Sequence, residues 1–225
     1  MSVSGIDVSH RQGAVDWEAV ASAGIAFAYA KATEGATFVD EQFVSNWAGM
    51  KHARVLRGAY HFFRPAAAIE AQVDQFVSTV GSIDAGDLPP VLDLEEAETS
   101  AGQDEWKTFP IEKRVSLAIA WLEQVEQRLG CRPFIYTRSG FVQSCFGSAG
   151  QLAQYALWIA HYTSAPQPTI PPDWEIWTFW QHSQTGQVSG IAGKVDLDTF
   201  RGSVAELTAL TASGLVSGAA SPPEP

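Results

Sequence analysis

The segment 89–98, PPVLDLEEAE, places two carboxylic acids two positions apart behind a short apolar run. Its two prolines oppose a helix, so the run that opens at Val91 predicts a short buried strand. Alternate residues of a strand point to the same side, which puts Asp93 and Glu95 on one face with Cα atoms about 6.6 to 7 Å apart. Two carboxyls beside apolar neighbours hold their protons with different affinities, and cleavage of a glycosidic bond needs such a pair. The alternative is structural: Asp93 caps the following loop and Glu95 is simply solvated.

Further residues able to do chemistry fall at the ends of other predicted strands. In a parallel α/β barrel these ends meet at one mouth. Acids and aromatic rings around one mouth suit a sugar polymer, because sugar rings pack on aromatic faces and sugar hydroxyls bond to acids and amides. Each residue also has a structural alternative, as a loop cap, a core aromatic, a rim charge or a structural histidine. The residues are Asp7, Lys31, Tyr60, His61, Tyr136, Trp158, His161, Gln181, Asp196 and Asp198.

Short apolar segments alternate with helical ones along the chain. The predicted helices cover 16–23, 40–53, 66–80 and 110–129, with one more after Arg201. Eight strands in this alternation predict an α/β fold with a parallel, TIM-like (β/α) barrel. The connections after the sixth and seventh strands are too short for full helices, so we expect an irregular barrel with fewer than eight of them. The predicted strands are 3–8, 25–30, 55–63, one opening at residue 91, 134–137, 156–161, 176–182 and 195–200.

Composition limits the classes of partner. The chain has 225 residues, 46% of them hydrophobic, which suits one barrel domain, predicted over residues 1–211. Its net charge of −11 argues against nucleic acid, which requires clustered Lys and Arg, and gives no electrostatic steering toward an anionic cell wall. No apolar run is long enough to span a membrane, and the first residues do not resemble a signal peptide, so the export route stays open. Residues 212–225 are small and Pro-rich, which predicts a tail or linker.

The sequence gives little support to a metal site and leaves the state of the two cysteines open. Hard cations prefer denser acidic loops, and Cys131 and Cys145 stand in no metal-binding motif, so we expect neither a metal nor a cofactor. The two cysteines flank one predicted strand and turn. A disulfide between them and two reduced, buried thiols are both compatible with the sequence.

Eight short motifs, in this order, resemble glycoside hydrolase family 25. They are GIDVS at 5–9, KATEG at 31–35, GAYHF at 58–62, VLDLE at 91–95, IYT at 135–137, LWIAHY at 157–162, WQH at 180–182 and VDL at 195–197. The resemblance runs from about residue 3 to residue 210. It implies a flattened, irregular (β/α) barrel and a lysozyme, an N-acetylmuramidase that cuts the β-1,4 bond between N-acetylmuramic acid and N-acetylglucosamine in peptidoglycan. Such an enzyme acts at the cell wall, outside the cell, and we expect it to be a monomer.

The resemblance also implies roles for individual residues. Glu95 matches the general acid, and Asp93 matches the carboxylate that orients the substrate's 2-acetamido group, whose carbonyl oxygen is the nucleophile in a retaining reaction. Asp7 and Asp196 match two further acids of the cleft. An asparagine is usual where this chain has Asp198, which leaves open whether 196 or 198 is the fourth acid. The remaining expected substrate-binding residues are Tyr60, Tyr136, Trp158, Lys31 and Gln181.

Two other functions compete with a muramidase. The first is a chitinase-like glycosidase, which would also use acids at the fourth strand. It is disfavoured because the Asp-x-x-Asp-x-Asp-x-Glu run of chitinases is missing: Val91 stands two residues before Asp93. The second is a catalytically silent wall-binding module, against which the retention of both Asp93 and Glu95 argues.

Overall fold

The computed structural model describes residues 3–211, and the predicted tail at 212–225 lies outside the described residues. Over this range the chain alternates strands and helices, as the sequence predicts. The helices are α1 Trp17–Ser22, α2 Phe43–His52, α3 Ile69–Val80, α4 Ile111–Leu129, α5 Ser139–Phe141 and α6 Val204–Ala209. The strands are β1 Val3–Val8, β2 Phe27–Glu34, β3 Phe38–Val39, β4 Leu56–Phe62, β5 Val91–Asp93, β6 Phe134–Thr137, β7 Leu157–Ala160, β8 Phe179–Gly186 and β9 Val195–Phe200.

Eight of the strands close into a barrel, because β1 pairs with β2 on one side and with β9 on the other. The short β3 lies outside the barrel as an antiparallel extension of β2. No helix connects β7 to β8 or β8 to β9. The predicted fold class, an irregular TIM-like α/β barrel with eight strands and fewer than eight full helices, is therefore confirmed.

The direction of the last barrel strand corrects the sequence prediction. An all-parallel barrel was expected, but β9 runs antiparallel to both β8 and β1. Residues 187–194 contain no helix to carry the chain back across the barrel, so the chain returns as a hairpin. In consequence β9 begins, rather than ends, at the mouth where the parallel strands end.

Aromatic side chains fill the barrel interior below the mouth. The ring centroids of Phe27 and Phe179 lie 4.9 Å apart, as do those of Tyr29 and Trp158. Gly58 makes room for this layer, since a Cβ atom there would lie 2.0 Å from Cε1 of Tyr29. The filled interior gives the mouth a rigid apolar floor. Other buried residues of this interior cluster are Val3, Leu88, Val91, Phe134, Phe200 and Leu207.

A second apolar layer joins the barrel wall to the surrounding helices. The longest helix, α4, follows Pro110 and is capped by Gly130, whose φ of 65° and ψ of 19° form the left-handed cap that the sequence predicts.

Several other element boundaries differ from those predicted from the sequence. Strand β2 extends to Glu34, so Lys31 lies within the strand and not after it. Both α2 and α3 begin about one turn later than predicted.

Cys131 and Cys145 are buried and unpaired in the structure. Burial raises the pKa of the Cys131 thiol to about 11 and that of the Cys145 thiol to about 12. Of the two states that the sequence allows, a disulfide and two reduced thiols, the structure has the reduced thiols.

Among residues 3–211, none of the helices has the length and apolar character needed to cross a membrane.

Candidate active site

A cavity of about 400 Å³ opens at the mouth of the barrel. Each residue to which the sequence analysis assigns a catalytic or substrate-binding role lines this cavity, with the exception of Asp198. The barrel wall explains why: inward-facing residues alternate along each strand, and the last inward position of several strands reaches the mouth. The predicted residues that line it are Asp7, Lys31, Tyr60, Asp93, Glu95, Tyr136, Trp158, Gln181 and Asp196.

Asp93 and Glu95 reach the cavity from different backbone positions. Asp93 is the last residue of β5 and is 5% exposed. Glu95 lies beyond the strand, which is shorter than predicted, and its main-chain oxygen accepts a hydrogen bond of 2.9 Å from Nε1 of the buried Trp106. The amide of Leu94 donates to the main-chain oxygen of Tyr136 at 2.9 Å. Both bonds fix the segment that presents the two carboxyls.

The protonation of this pair is set by burial and by neighbouring charge. Burial, and then the charge of Glu95, raise the pKa of Asp93 well above its ordinary value. Burial, and then the charge of Glu96, raise the pKa of Glu95, while the Arg138 guanidinium opposes this shift. Oδ1 of Asp93 is buried and accepts no hydrogen bond from the described residues. The pair thus holds a proton to a higher pH than an isolated carboxyl.

Asp7 and Asp196 lie opposite each other in the pairing of β1 with β9. Asp7 is 7% exposed, and its Oδ2 accepts a hydrogen bond of 2.7 Å from Nε2 of Gln181. Burial, and then the charges of Asp198 and Asp196, raise the pKa of Asp7 well above its ordinary value. Burial raises the pKa of Asp196 to about 6.

Asp198 lies deeper than Asp196 on the same face of β9. It is 1% exposed, and its Oδ1 accepts a hydrogen bond of 2.8 Å from Nε1 of Trp158. Burial raises its pKa well above the ordinary value. The geometry thus separates the two candidates for the fourth cleft acid, since Asp196 faces the cavity and Asp198 supports Trp158 from behind.

Gln181 connects three sides of the cavity. Its Oε1 accepts hydrogen bonds from the hydroxyls of Tyr136 at 2.9 Å and Tyr162 at 2.6 Å, while its Nε2 holds Asp7. Tyr162 was not among the predicted site residues, although the LWIAHY segment that ends with it was singled out. Its place just beyond a strand end was the available signal. The other lining residues that were missed are Val8, Ser9, Arg11, Gln12, Phe62 and Gln184.

Lys31 and Tyr60 complete the wall on the side of β2 and β4. Nζ of Lys31 lies 2.6 Å from Oε2 of Glu34 and 4.8 Å from the centroid of the Phe62 ring. Burial, followed by the charges of Asp7 and Asp93, raises the pKa of Tyr60 well above its ordinary value. The tyrosine therefore keeps its hydroxyl proton and can donate a hydrogen bond into the cavity.

Neither of the two histidines considered in the sequence lines this cavity, although His161 lines an adjoining one. His61 faces the helices, with Nδ1 2.7 Å from Oγ1 of Thr33, Nε2 3.1 Å from Oε1 of Gln72, and its ring stacked on Trp121. Burial lowers its pKa to about 3, so the ring is neutral. Nδ1 of His161 accepts a hydrogen bond of 2.9 Å from the amide of Thr169. Both histidines have structural partners.

A second cavity, of about 640 Å³, adjoins the first on the Glu95 side. The two share Glu95, Tyr136, Tyr162 and Gln184, so together they form an elongated trough. A trough that is lined by acids and aromatic rings and is open at the barrel mouth can accept a chain of sugars. Its carboxyls hold their protons to a higher pH than free carboxyls do, which suits acid catalysis on a glycosidic oxygen.

Comparison with known proteins gives a consistent assignment. The family model described as "Glycosyl hydrolases family 25" matches residues 6–191. Lysozyme M1 of Streptomyces globisporus is 41% identical over 216 residues, covering 92% of this chain and 71% of that protein. An N,O-diacetylmuramidase of Arthroderma benhamiae is 33% identical over 220 residues, covering 95% of this chain and 88% of that protein.

Solved structures agree with the family model. The crystal structure of a bacterial lysozyme from Streptomyces coelicolor superimposes with a TM-score of 0.88 at 38% identity, covering 95% of this chain and 98% of that chain. A family 25 lysozyme from Aspergillus fumigatus superimposes with a TM-score of 0.81 at 31% identity, covering 94% and 99% of the two chains. The chain therefore belongs to family 25 of the glycosyl hydrolases.

Proposed function

We propose that this chain is a lysozyme, a muramidase that hydrolyses the β-1,4 bond between N-acetylmuramic acid and N-acetylglucosamine in peptidoglycan. The observation that carries the proposal is the pair Asp93 and Glu95, both with raised pKa, in an open trough of a family 25 barrel. Lysozymes and muramidases among the relatives match over nearly the whole chain.

In this proposal Glu95 is the general acid. Its carboxyl donates a proton to the glycosidic oxygen as the bond from that oxygen to C1 of N-acetylmuramic acid breaks. The raised pKa supports this role, because a carboxyl that is still protonated near the working pH is the better proton donor. Glu95 also lies where the two cavities meet, so a bound chain would cross it from one cavity into the other.

Asp93 orients the 2-acetamido group of the sugar in the first cavity. Its carboxyl lines this cavity and accepts the acetamido N–H, which turns the carbonyl oxygen toward C1. That oxygen forms a bond to C1 as the leaving sugar departs with the proton from Glu95. Water then attacks C1 and gives a proton back to Glu95 as the bond from C1 to the acetamido oxygen breaks. The two successive displacements retain the configuration at C1. This is a substrate-assisted exception to the scheme of two carboxylates with one as nucleophile.

The remaining predicted residues position the sugar. Asp7 and Asp196 hold the wall opposite the catalytic pair, and Tyr60 donates a hydrogen bond toward the acetamido group. Tyr136, whose hydroxyl proton is bound to Oε1 of Gln181, lies near the same group and offers its hydroxyl oxygen as an acceptor. Trp158 provides a ring face that is held by Asp198. Lys31 and Gln181 bind sugar hydroxyls from the rim and the floor, with Gln181 also fixing Asp7.

The test compares purified peptidoglycan with chitin oligomers as substrates. We expect new reducing ends from peptidoglycan, and little or no hydrolysis of chitin. Efficient cleavage of chitin would support the chitinase-like alternative. Release of no reducing ends from either polymer would support a silent wall-binding module, and would overturn the proposal.

We further propose that the protein acts as a monomer on the cell wall outside the cell and that residues 1–211 form the catalytic domain. Residues 212–225 then serve as a tail or linker. The site that we describe is built from residues 7–196 of a single chain, so the proposed reaction requires no second copy. Light scattering of the full chain tests the oligomeric state, and a chain that ends at Thr211 should retain lytic activity.

A further inference from the structure

An arginine without an acidic partner stands at the rim of the catalytic cavity. Arg11 lines the cavity and is exposed, and its guanidinium makes no hydrogen bond or ion pair within residues 3–211. The other cation that lines this cavity is Lys31, which is engaged with Glu34 at 2.6 Å. Arg11 is therefore the lining cation that is free to bind an anion from solution.

The backbone that carries Arg11 is held from several sides. Ser9 and Gln12 form a capping box around the helical turn His10–Gln12, with the amide of Ser9 donating to Oε1 of Gln12 at 2.9 Å. The amide and Nδ1 of His10 both lie within hydrogen-bond distance of Oδ2 of the buried Asp40, at 2.9 and 2.7 Å. The turn is therefore fixed, and Arg11 is presented at the rim at little cost in backbone ordering.

A free cation at this rim contrasts with the surrounding charge. The chain carries a net charge of −11, and Asp7, Asp93, Glu95 and Asp196 line the same cavity. The acids serve the sugar ring and its glycosidic bond, which are uncharged. An anionic part of the substrate would meet repulsion from these acids unless a cation compensated for them.

N-acetylglucosamine is neutral, but N-acetylmuramic acid carries a lactyl ether at O3 with a carboxyl group. We infer that Arg11 binds a carboxylate borne on this lactyl group, and that it is a specificity-determining residue for muramic acid over N-acetylglucosamine. The inference rests on the proposed function and refines it. The carboxylate is either that of the lactyl group itself, in glycan without peptide, or one of the peptide attached to it.

Arg138 is a weaker candidate for the same role. It lines the second cavity and not the first, and its guanidinium pairs with Glu96. It also acts on Glu95, whose pKa it lowers, so a substitution of Arg138 would change the chemistry as well as the binding. The charges that shift the pKa of Glu95 are those of Glu96, Arg138, Lys31 and Asp196, and Arg11 is not among them.

The test uses peptide-free glycan chains of peptidoglycan in two forms, with the lactyl carboxyl free and with it converted to the carboxamide. We expect the wild-type chain to have a KM about threefold to tenfold lower for the acid form, as one partly exposed charge-assisted contact provides. This preference should disappear in Arg11→Gln and be partly kept in Arg11→Lys. It should also weaken as salt is added, because an exposed charge is screened.

Arg201→Gln is the matched control. Arg201 is exposed and follows the end of β9, at the opposite end of the barrel from the mouth, so the same loss of charge there should leave the acid-form preference intact. A second pair of substrates identifies the source of the anion: glycan with its peptides attached, before and after the peptide carboxylates are amidated. If Arg11→Gln raises KM for the unamidated form and not for the amidated form, the carboxylate that Arg11 binds belongs to the peptide.

The inference would be overturned if the wild-type chain had equal KM values for the acid and carboxamide forms both in peptide-free glycan and in glycan with its peptides attached. An acid-form preference that survives Arg11→Gln would also overturn it. Both outcomes leave the muramidase activity in place. Failure to hydrolyse any of these glycans is a different result, which would overturn the proposed function and this inference with it.

Discussion

Four carboxyl groups face one cavity in this protein, and burial raises the pKa of each of them: Asp7, Asp93, Glu95 and Asp196. Each group therefore holds its proton to a higher pH than it would in water, and together they cannot all ionise without mutual repulsion. The chemistry that we propose uses this property, since it needs one protonated carboxyl beside a second that accepts a hydrogen bond.

Replacing Glu95 by glutamine removes the proposed proton donor and keeps the shape of the side chain. We expect kcat on peptidoglycan to fall by about 10²- to 10⁴-fold, as positioned acid catalysis contributes. The midpoint of thermal unfolding should change little, which shows that the fold is intact. Near-normal lysis by Glu95→Gln would refute the assignment of the general acid. Asp93→Asn should be similarly severe, and Asp7→Asn less so.

The pH dependence of activity should respond to Glu96. An active general acid is protonated, so kcat/KM should fall as the pH rises through the raised pKa of Glu95. Glu96 contributes to that raised pKa through its charge. In Glu96→Gln the pKa of Glu95 falls, and the alkaline limb of the pH–rate profile should move to lower pH. A limb that stays in place or moves upward would show that another group controls it.

Asp196 should make stability depend on pH. Its pKa is about 6 in the folded chain and about 4 in an unfolded one, so the folded state binds more protons between these values. Stability therefore falls as the pH rises from about 4 to 6, and the loss persists above that range. Asp196→Asn removes this loss, so its midpoint of unfolding should exceed that of the wild type by a few degrees at pH 7 and match it near pH 4. A variant less stable than the wild type at pH 7 would contradict the sign.

At the scale of elements, the barrel wall and its packing bring the site together. Inward-facing positions carry large aromatic rings below the mouth and polar groups at it, while outward-facing positions such as His61 join the wall to the helices. Glycines in the wall provide the space that the rings need, as Gly58 does for Tyr29. The position of the cavity floor therefore depends on small residues that have no contact with substrate.

Gly58→Ala should destabilise the barrel, because the new Cβ would overlap the Tyr29 ring at 2.0 Å. Overpacking of this kind costs about 1–3 kcal/mol in the free energy of unfolding, and chemical denaturation can measure it. Gly140→Ala is the matched control, since a Cβ atom there meets only Nη1 of Arg138 at 3.9 Å. Equal stabilities of the two variants would contradict the packing that we describe.

Local sequence patterns predicted the positions of most helices and strands, but they did not predict the direction in which the last strand runs in the barrel. Proline, glycine and apolar runs mark β1, β6, β9 and α4 almost to the residue. The antiparallel course of β9 depends on a hairpin whose packing against distant residues, such as the contact of Gly190 with Asp16, is not encoded in a local pattern. The end of β5 at Asp93 likewise depends on bonds that the following segment makes with Tyr136 and Trp106.

The candidate site was predictable where a residue type and a strand end coincide. Acids and aromatic rings at strand ends do line one cavity. Tyr162 was missed because its role follows from a shared acceptor, Oε1 of Gln181, whose position only the closed barrel defines. The choice between Asp196 and Asp198 also required the structure, since both share one face of β9 and differ in depth.

For the whole molecule, net charge and fold have different consequences. A net charge of −11 gives no electrostatic attraction to an anionic cell wall, so the trough has to bind glycan through local contacts and not through the overall charge. The trough combines two adjoining cavities at the open end of a closed barrel, which is a suitable shape for a continuous glycan strand.

The most direct measurement is mass spectrometry of the fragments released from purified peptidoglycan after reduction with borohydride. Because reduction marks the sugar at each new reducing end, it identifies the bond that was cut. Cleavage by a muramidase that uses Glu95 should give fragments ending in reduced N-acetylmuramic acid, and Glu95→Gln should release almost none. Fragments ending in reduced N-acetylglucosamine, or equal release by the wild type and Glu95→Gln, would contradict the account.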